Sequence, residues 1–342
     1  MIYIFVCFNY FITLYLCCGI KCVFSSTIFF NLSKEIYMYN LICVTGPTAC
    51  GKTSFAVQLA DYFKGEIISA DSRQVYRNMD LGTGKDLDEY VYKGKSLPYH
   101  LIDICDAGYK YNIFEYQRDF VEVWNQLQKR HIMPILCGGS GLYVEAIVKG
   151  YKLLPVPIDE KLREGLKNQS LEELAERLST YGKMHNVTDL DTKKRAIRAI
   201  EIEEYYLIHP KEDTFFPKIK PLILGIDISR ELRRNRITER LKQRLNNGMV
   251  EEVKRIIDSG VAPEDLIYYG LEYKYITMYL LSEISYDEMF EKLNIAIHQF
   301  AKRQMTWFRK MEKSGIDIHW LPFDISNDEK MAFVKRLYDL ER

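Results

Sequence analysis

The segment that most constrains the fold is Gly46-Pro47-Thr48-Ala49-Cys50-Gly51-Lys52-Thr53, which fits the pattern G-x-x-x-x-G-K-[ST]. An apolar run, Asn40-Leu-Ile-Cys-Val-Thr45, precedes it, and a pattern of helical period over 52–63 follows. Strand, glycine-rich loop and helix in that order wrap backbone N–H groups and a helix N-terminus around an anion. Lys52 adds a point charge, and the Thr53 hydroxyl is placed to ligate Mg²⁺. The whole loop from Gly46 to Thr53 is therefore the candidate diphosphate- or nucleotide-binding site, with Thr53 as the candidate metal ligand.

Such a loop requires a sheet behind it. Short apolar runs alternate with helix-period segments after residue 39, which predicts an α/β fold: a P-loop NTPase-like parallel sheet flanked by helices. Strands are expected at 40–45, 66–70, 100–104, 132–137 and 222–228, and helices at 52–63, 113–129, 230–258 and 286–312. Leu154-Pro-Val-Pro157 breaks the rhythm, and 158–208 is rich in Glu, Lys, Leu and Arg at helical spacing. The expected layout is an apolar extension (1–37), the first part of the core (38–153), a helical insertion (154–215), and a return to the core with a basic helical C-terminal segment (216–342).

The extension is unlike the rest. Of residues 1–30, 23 are apolar and Lys21 is the single charge, yet there is no basic stretch before the apolar run and no small-x-small cleavage pattern. An uncleaved anchor, an atypical targeting segment and upstream sequence from a mis-assigned start all fit. Met38, just before the first expected strand, favours the last, and with that start no stable membrane association is expected. Four of the eight cysteines (Cys7, Cys17, Cys18, Cys22) lie in the extension. The others, Cys43, Cys50, Cys105 and Cys137, stand singly without metal-ligand spacing and read as buried free thiols of a cytoplasmic protein, expected to be a monomer.

Lys+Arg 47 against Asp+Glu 47 leaves no global field to attract nucleic acid. Basic residues nevertheless cluster locally: 229–244 carries Arg230, Arg233, Arg234, Arg236, Arg240, Lys242 and Arg244 against Glu231 and Glu239. Smaller patches occur at Lys193-Lys194-Arg195 with Arg198, and around Trp307. Any one of them alone fits a solvated helix face. The second expected strand runs into Asp71-Ser72-Arg73-Gln74-Val75-Tyr76, and in a parallel sheet Asp71 then lies on the phosphate-loop side. Spacing alone leaves Asp71 divided between catalysis and a capping or metal-linked role. A P-loop kinase is compatible with the loop, although no apolar strand ends in Asp-Glu and no short Arg-rich lid is evident.

An ordered set of motifs carries further. Beside the phosphate loop stand Asp-Ser-x-Gln-x-Tyr and Gly-Thr-x-Lys within 71–85, His100-Leu-Ile-Asp103, and Gly138-Gly139-Ser140-Gly141-Leu142-Tyr143. Arg195-Ala-Ile-Arg198-Ala-Ile-Glu201, Ser229-Arg230-Glu231 with Arg236-Ile-x-x-Arg240, and Ala301-Lys302-Arg303-Gln304-x-Thr306-Trp307-Phe308-Arg309 follow. Across nearly all of 39–322 the chain resembles the bacterial form of the tRNA dimethylallyltransferase (tRNA isopentenyltransferase) family.

That resemblance implies an enzyme, a prenyltransferase moving a dimethylallyl group from dimethylallyl diphosphate to N6 of adenosine 37, just 3′ of the anticodon in tRNA. It assigns Asp71 as general base, and Lys52, the loop amides, Mg²⁺ through Thr53, and Arg240 as stabilisers of the departing diphosphate. It implies that Asp71, Ser72, Arg73, Gln74, Ser140, Lys194, Arg195 and Arg198 approach the target base or its neighbours in the anticodon stem-loop, with the basic patches and Trp307 as further contacts. Ser140 stands where the family usually has Thr, and Gly270-Leu271-Glu272-Tyr273-Lys274 replaces a more frequent Gly-Tyr-Lys/Arg-Glu/Gln pattern. The alternatives are a small-molecule kinase, an adenylate isopentenyltransferase acting on free nucleotide, and a tRNA-binding protein without catalysis. The helical insertion and the 301–309 segment argue against the second, and the retained Asp71, Lys52, Thr53 and Arg240 against the third.

Overall fold

The computed structural model describes residues 4–8, 11–15, 21–25, 39–182, 190–209 and 216–340. Its contacts divide the chain into two units, Met1–Lys149 with Lys218–Arg342, and Gly150–Pro217.

In the first unit, β1 (Ile4–Phe8), β2 (Phe11–Tyr15) and β3 (Lys21–Ser25) pair antiparallel in a sheet of their own. They come from the expected apolar extension; Met38, Cys17 and Cys18 lie outside the described residues. Among the described residues no helix is long and apolar enough to cross a membrane. The main sheet is built from β4 (Leu41–Thr45), β5 (Glu66–Ser69), β8 (Tyr99–His100), β9 (Pro134–Gly138), β10 (Pro221–Asp227) and β11 (His319–Pro322), while β6 (Val91–Tyr92) and β7 (Lys95–Ser96) form a small antiparallel pair. The order β11-β10-β4-β9-β5-β8 is parallel throughout. Strands β4, β5 and β9 are buried along their whole length, so their apolar residues run together instead of alternating, although β5 opens on Glu66 and closes on Ser69.

Helices α1 (Lys52–Phe63), α2 (Ile113–Lys129) and α3 (Gly141–Val148) precede the second unit; α7 (Arg230–Asn246), α8 (Met249–Asp258), α9 (Pro263–Tyr269), α10 (Leu271–Leu280), α11 (Tyr286–Lys313) and α12 (Asn327–Leu340) follow it. Phe55, Ala56 and Leu59 of α1 pack on Ile42, Ile67 and Ile135 of the sheet. Capping boxes of Asn112 with Glu115 and Ser285 with Glu288 start α2 and α11 at the residues the periodicity predicts.

Two expectations change, and one strand was not foreseen. The strand expected at 100–104 stops at His100, because Leu101 and Asp103 take positive φ angles of 61° and 56° that no strand accommodates. The helix expected over 230–258 is two, split at Gly248 with φ 96°. Strand β11, His-Trp-Leu-Pro, is not among the expected strands; Trp320 lies over Gly225, its ring 2.4 Å from where a Cβ there would stand. The singly spaced cysteines Cys43, Cys50 and Cys137 are buried and free, while Cys105 is free and half-buried.

Two ionic knots hold the loops above the sheet. Lys85, with no exposed side-chain surface, donates from Nζ to the Tyr76 carbonyl at 2.7 Å, to Asp80 at 2.6 Å and to Asp103. The buried Glu252 of α8 accepts from the amides of Asp80 (2.9 Å), Leu81 (2.7 Å) and Gly82 (3.0 Å) and from the Tyr273 hydroxyl (2.7 Å). A glutamine has one acceptor oxygen and would turn an NH₂ toward those donors. Glu252→Gln is expected to cost about 2–3 kcal/mol in urea unfolding, and an unchanged midpoint would contradict this account.

The second unit comprises α4 (Glu160–Leu166), α5 (Leu171–Ser179) and α6 (Lys193–Ile208), capped by Asp159, Ser170 and Thr192, around Leu166, Leu174, Leu178, Ala196 and Ile200. Glu201, 2% exposed, accepts from the Asp159 amide at 2.7 Å, from Arg163 at 3.0 Å through two nitrogens, and from Arg198. Burial alone would raise its pKa, but the hydrogen bonds from Arg163, Arg198 and the Asp159 amide outweigh burial and hold it below the usual carboxylate value. A depressed carboxylate stabilises the fold above its unfolded pKa, and that stabilisation is lost as pH falls through the folded value. The thermal-midpoint difference between the parent and Glu201→Gln is thus expected to be large at neutral pH and to shrink as pH falls below the usual carboxylate range; a constant difference would refute the ionic role.

Candidate functional site

Because the strands run parallel, their C-terminal ends deliver three loops to one edge: the phosphate loop after β4, Asp71 after β5, and Gly138-Gly139-Ser140 at the end of β9. The approach is close. A Cβ on Gly138 would stand 2.1 Å from the Ala70 carbonyl oxygen, and the Ser140 hydroxyl accepts from the Ser72 amide at 3.1 Å. Thr45 donates to the Gly138 carbonyl at 3.0 Å, fixing the end of β4 to the end of β9.

Within the phosphate loop, Gly46 has φ 145°, and a side chain there would meet Cys50 Sγ at 3.0 Å and the Ile226 carbonyl at 3.1 Å. Ala49 and Gly51 take φ angles of 63° and 78°, and Lys52 and Thr53 open α1. Lys52 Nζ donates to the Pro47 carbonyl at 2.7 Å, so the ammonium folds back over its own loop. Gln304 of α11 bridges two of the loops: it accepts from the Thr48 amide at 2.8 Å and donates to the Gly139 carbonyl at 2.9 Å. Thr53 offers one hard oxygen, and among the described residues no three His, Cys, Asp or Glu gather into a metal cage. That donor set suits Mg²⁺, which keeps waters and is bound mostly through substrate phosphates.

Asp71 accepts from the Arg73 amide at 2.9 Å, which orients its carboxylate at the start of the turn. Gln74 accepts from the Ser69 hydroxyl at 2.9 Å and donates to the Gly84 carbonyl at 3.2 Å, so its amide is engaged in holding the loop. The Arg73 guanidinium lies 5.3 Å from the centre of the Tyr268 ring.

Helix α7 turns an arginine face toward the loop. Arg236, Arg240 and Arg244 stand four residues apart and therefore share one side. Arg236 donates to the Ala49 carbonyl at 2.9 Å, while Arg240 and Arg244 line a cavity with Thr48, Ala49 and Glu272. Burial lowers the Arg240 pKa and the neighbouring Arg244 charge lowers it further. Burial raises Glu272 against the opposing pull of Arg244 and Arg240, and raises Glu89 against Arg240, Arg244 and Lys52.

The first unit thus holds Gly46–Thr53, Asp71–Gln74 and Ser140 at the sheet's edge and Arg240 on α7. Lys194, Arg195 and Arg198 belong to the other: Lys194 is exposed, Arg195 pairs with Asp191 at 2.8 Å, and Arg198 is tied to Glu201 and to the Val156 carbonyl at 2.8 Å. Trp307, expected among the nucleic-acid contacts, packs on Gly141 and donates to Glu145 at 2.8 Å. The residues not foreseen are Gln304 as a bridge, Glu252 as a loop anchor, and the Asp86–Arg244 pair. For Arg244 the signal was its spacing of four from Arg240 and Arg236, inside a stretch read only as a basic patch.

The family model described as IPP transferase matches residues 74–311, and the one described as isopentenyl transferase matches 39–101. A tRNA dimethylallyltransferase 2 of Bacteroides fragilis is 59% identical over 298 residues, 87% of this chain and 97% of that protein. One of Phocaeicola vulgatus is 61% identical over 299 residues, again 87% of this chain and 97% of the relative. The crystal structure of a Bacillus halodurans tRNA isopentenylpyrophosphate transferase superposes with a TM-score of 0.65 at 28% identity, covering 88% of this chain and 97% of the other. On these matches, which run along most of this chain and nearly the whole of its relatives, this chain belongs to the tRNA dimethylallyltransferase family.

Proposed function

We propose that this protein transfers the dimethylallyl group of dimethylallyl diphosphate to N6 of adenosine 37 in tRNA, giving N6-dimethylallyladenosine and diphosphate. The observation that carries the reading is identity of 59% and 61% to enzymes named tRNA dimethylallyltransferase along nearly their whole length. A tRNA substrate puts the work in the cytoplasm, and the free Cys43, Cys50, Cys105 and Cys137 agree with a reducing compartment.

The chemistry explains the residues. The exocyclic amine of adenine is a weak nucleophile because its lone pair is delocalised into the ring, and inside a base stack it is out of reach, so the base must be turned out. Nitrogen attacks the allylic carbon, the carbon–oxygen bond breaks with its electron pair passing to the diphosphate, and an N6 proton passes to the Asp71 carboxylate. The turn from the Arg73 amide presents that carboxylate at the loop edge. Lys52, the loop amides and Arg240 offset the charge that gathers on the leaving group. Thr53 is the residue to hold Mg²⁺, which when bound neutralises diphosphate charge. In this reading Ser72, Arg73 and Ser140 flank the incoming base, and Lys194 and Arg195 contact tRNA phosphates. Gln74 and Arg198 contribute mainly by shaping their loops, since both are engaged by protein groups.

Incubating the protein with Mg²⁺, dimethylallyl diphosphate and an anticodon stem-loop is expected to add C5H8 to the target adenosine by mass spectrometry. Asp71→Ala should lose at least about 10²-fold in turnover while inorganic diphosphate still binds; retained turnover would remove Asp71 as the base. Arg240→Ala is expected to lower kcat by about 10²-fold without raising KM for tRNA. A loss confined to tRNA affinity would move Arg240 from the leaving group to the nucleic acid.

A further inference from the structure

We infer that Asp86 is a built-in counter-anion which competes with diphosphate for the paired guanidiniums of Arg240 and Arg244, and so sets how readily the diphosphate product leaves. The inference rests on the prenyl-transfer reading for its product, but it stands on the geometry of one corner of the site. Both oxygens of Asp86 lie within hydrogen-bond distance of Arg244 Nη2, at 3.0 and 2.8 Å, and Asp86 is 3.9 Å from Arg240 Nη2. The two arginines converge on one backbone point: a Cβ on Gly84 would stand 2.4 Å from Arg244 Nη2 and 2.5 Å from Arg240 Nη2. Gly84 therefore leaves room for both guanidiniums, and its φ of 67° suits glycine.

Two like charges at one glycine need an anion. Asp86 is the carboxylate bonded to the pair, while the Glu272 carboxyl lines the same cavity as the two arginines, beside Thr48 and Ala49 of the phosphate loop. The Arg244 side chain is 11% exposed and that of Asp86 39%, so the carboxylate sits on the solvent side of the guanidinium it holds. A diphosphate carries more negative charge than a carboxylate and takes the arginines as it arrives. When the carbon–oxygen bond breaks, the diphosphate gains a further negative charge, and the same arginines grip the product harder than the substrate. That stabilises the transition state but slows release. A carboxylate anchored beside Arg244, on a loop fixed by Glu252 and Lys85, reclaims the guanidinium as the product goes.

The test is calorimetric titration of the full chain with inorganic diphosphate, alongside product-inhibition kinetics. Asp86→Asn keeps the shape and removes the charge; it is expected to tighten diphosphate binding by about tenfold and to deepen product inhibition. Arg244→Gln is expected to weaken diphosphate binding by about tenfold while KM for tRNA stays near the parent value. In the double variant the gain from Asp86→Asn should largely disappear, since its main beneficiary is gone. Unchanged or weaker diphosphate binding in Asp86→Asn, with only a lower thermal midpoint, would make the pair a structural brace and overturn the inference. Because diphosphate binding is read without tRNA, a parent protein that binds diphosphate but adds no C5H8 would defeat the prenyl-transfer reading alone.

Discussion

The structure depends on the parallel pairing of β4, β9 and β5, and on how closely their ends approach where Gly138 meets the Ala70 carbonyl. Side chains at that seam would force the strand ends apart. With glycine there, the amide of Ala70 bonds the Cys137 carbonyl at 2.8 Å and the ladder continues past the strands into the loops. The phosphate loop, Asp71 and Ser140 are then held by backbone hydrogen bonds at the seam together with side-chain bonds of Thr45, Ser140 and Asp71. Gln304 extends the seam by joining Thr48 to Gly139 from a helix more than 150 residues further along the chain.

Several residues of the sequence motifs serve as scaffold. At the start of β5, His100 bonds Glu66 at 2.7 Å and Arg130 adds two bonds at 2.9 and 2.8 Å. Asp103 and Asp80 share Lys85, and Glu252 gathers three successive amides of the same loop. A loop that must bring Gly84 under two guanidiniums cannot be slack, and charged hydrogen bonds give the strongest local hold available to it. The cost of desolvating Lys85 and Glu252 is offset because each has several partners.

The arginines of α7 show how one composition serves two purposes. A chain without net charge has no general pull on RNA, so cations must be placed individually. Their spacing of four turns Arg236, Arg240 and Arg244 toward the phosphate loop, where in the proposed reaction they face the leaving diphosphate. In the helical unit Arg198 is drawn inward by Glu201, and Arg195 pairs with Asp191. Counting basic residues in a stretch does not separate these fates, since the count is blind to the acid each arginine meets.

The sequence by itself determined the parts whose physics is local. The phosphate loop, the helices at 52–63 and 113–129, and the buried strands are legible because glycine placement, capping residues and apolar period act over a few neighbouring residues. Asp71 was legible as a candidate because strand polarity carries the residue after a parallel strand to the ligand edge. Only the tertiary structure decided that Gln304 bridges two loops, that Trp307 donates to Glu145, and that Asp86 holds Arg244 across 158 positions. A long-range hydrogen bond leaves no periodic trace in a single chain, because its partners are chosen by the packing of elements and not by their spacing along the backbone.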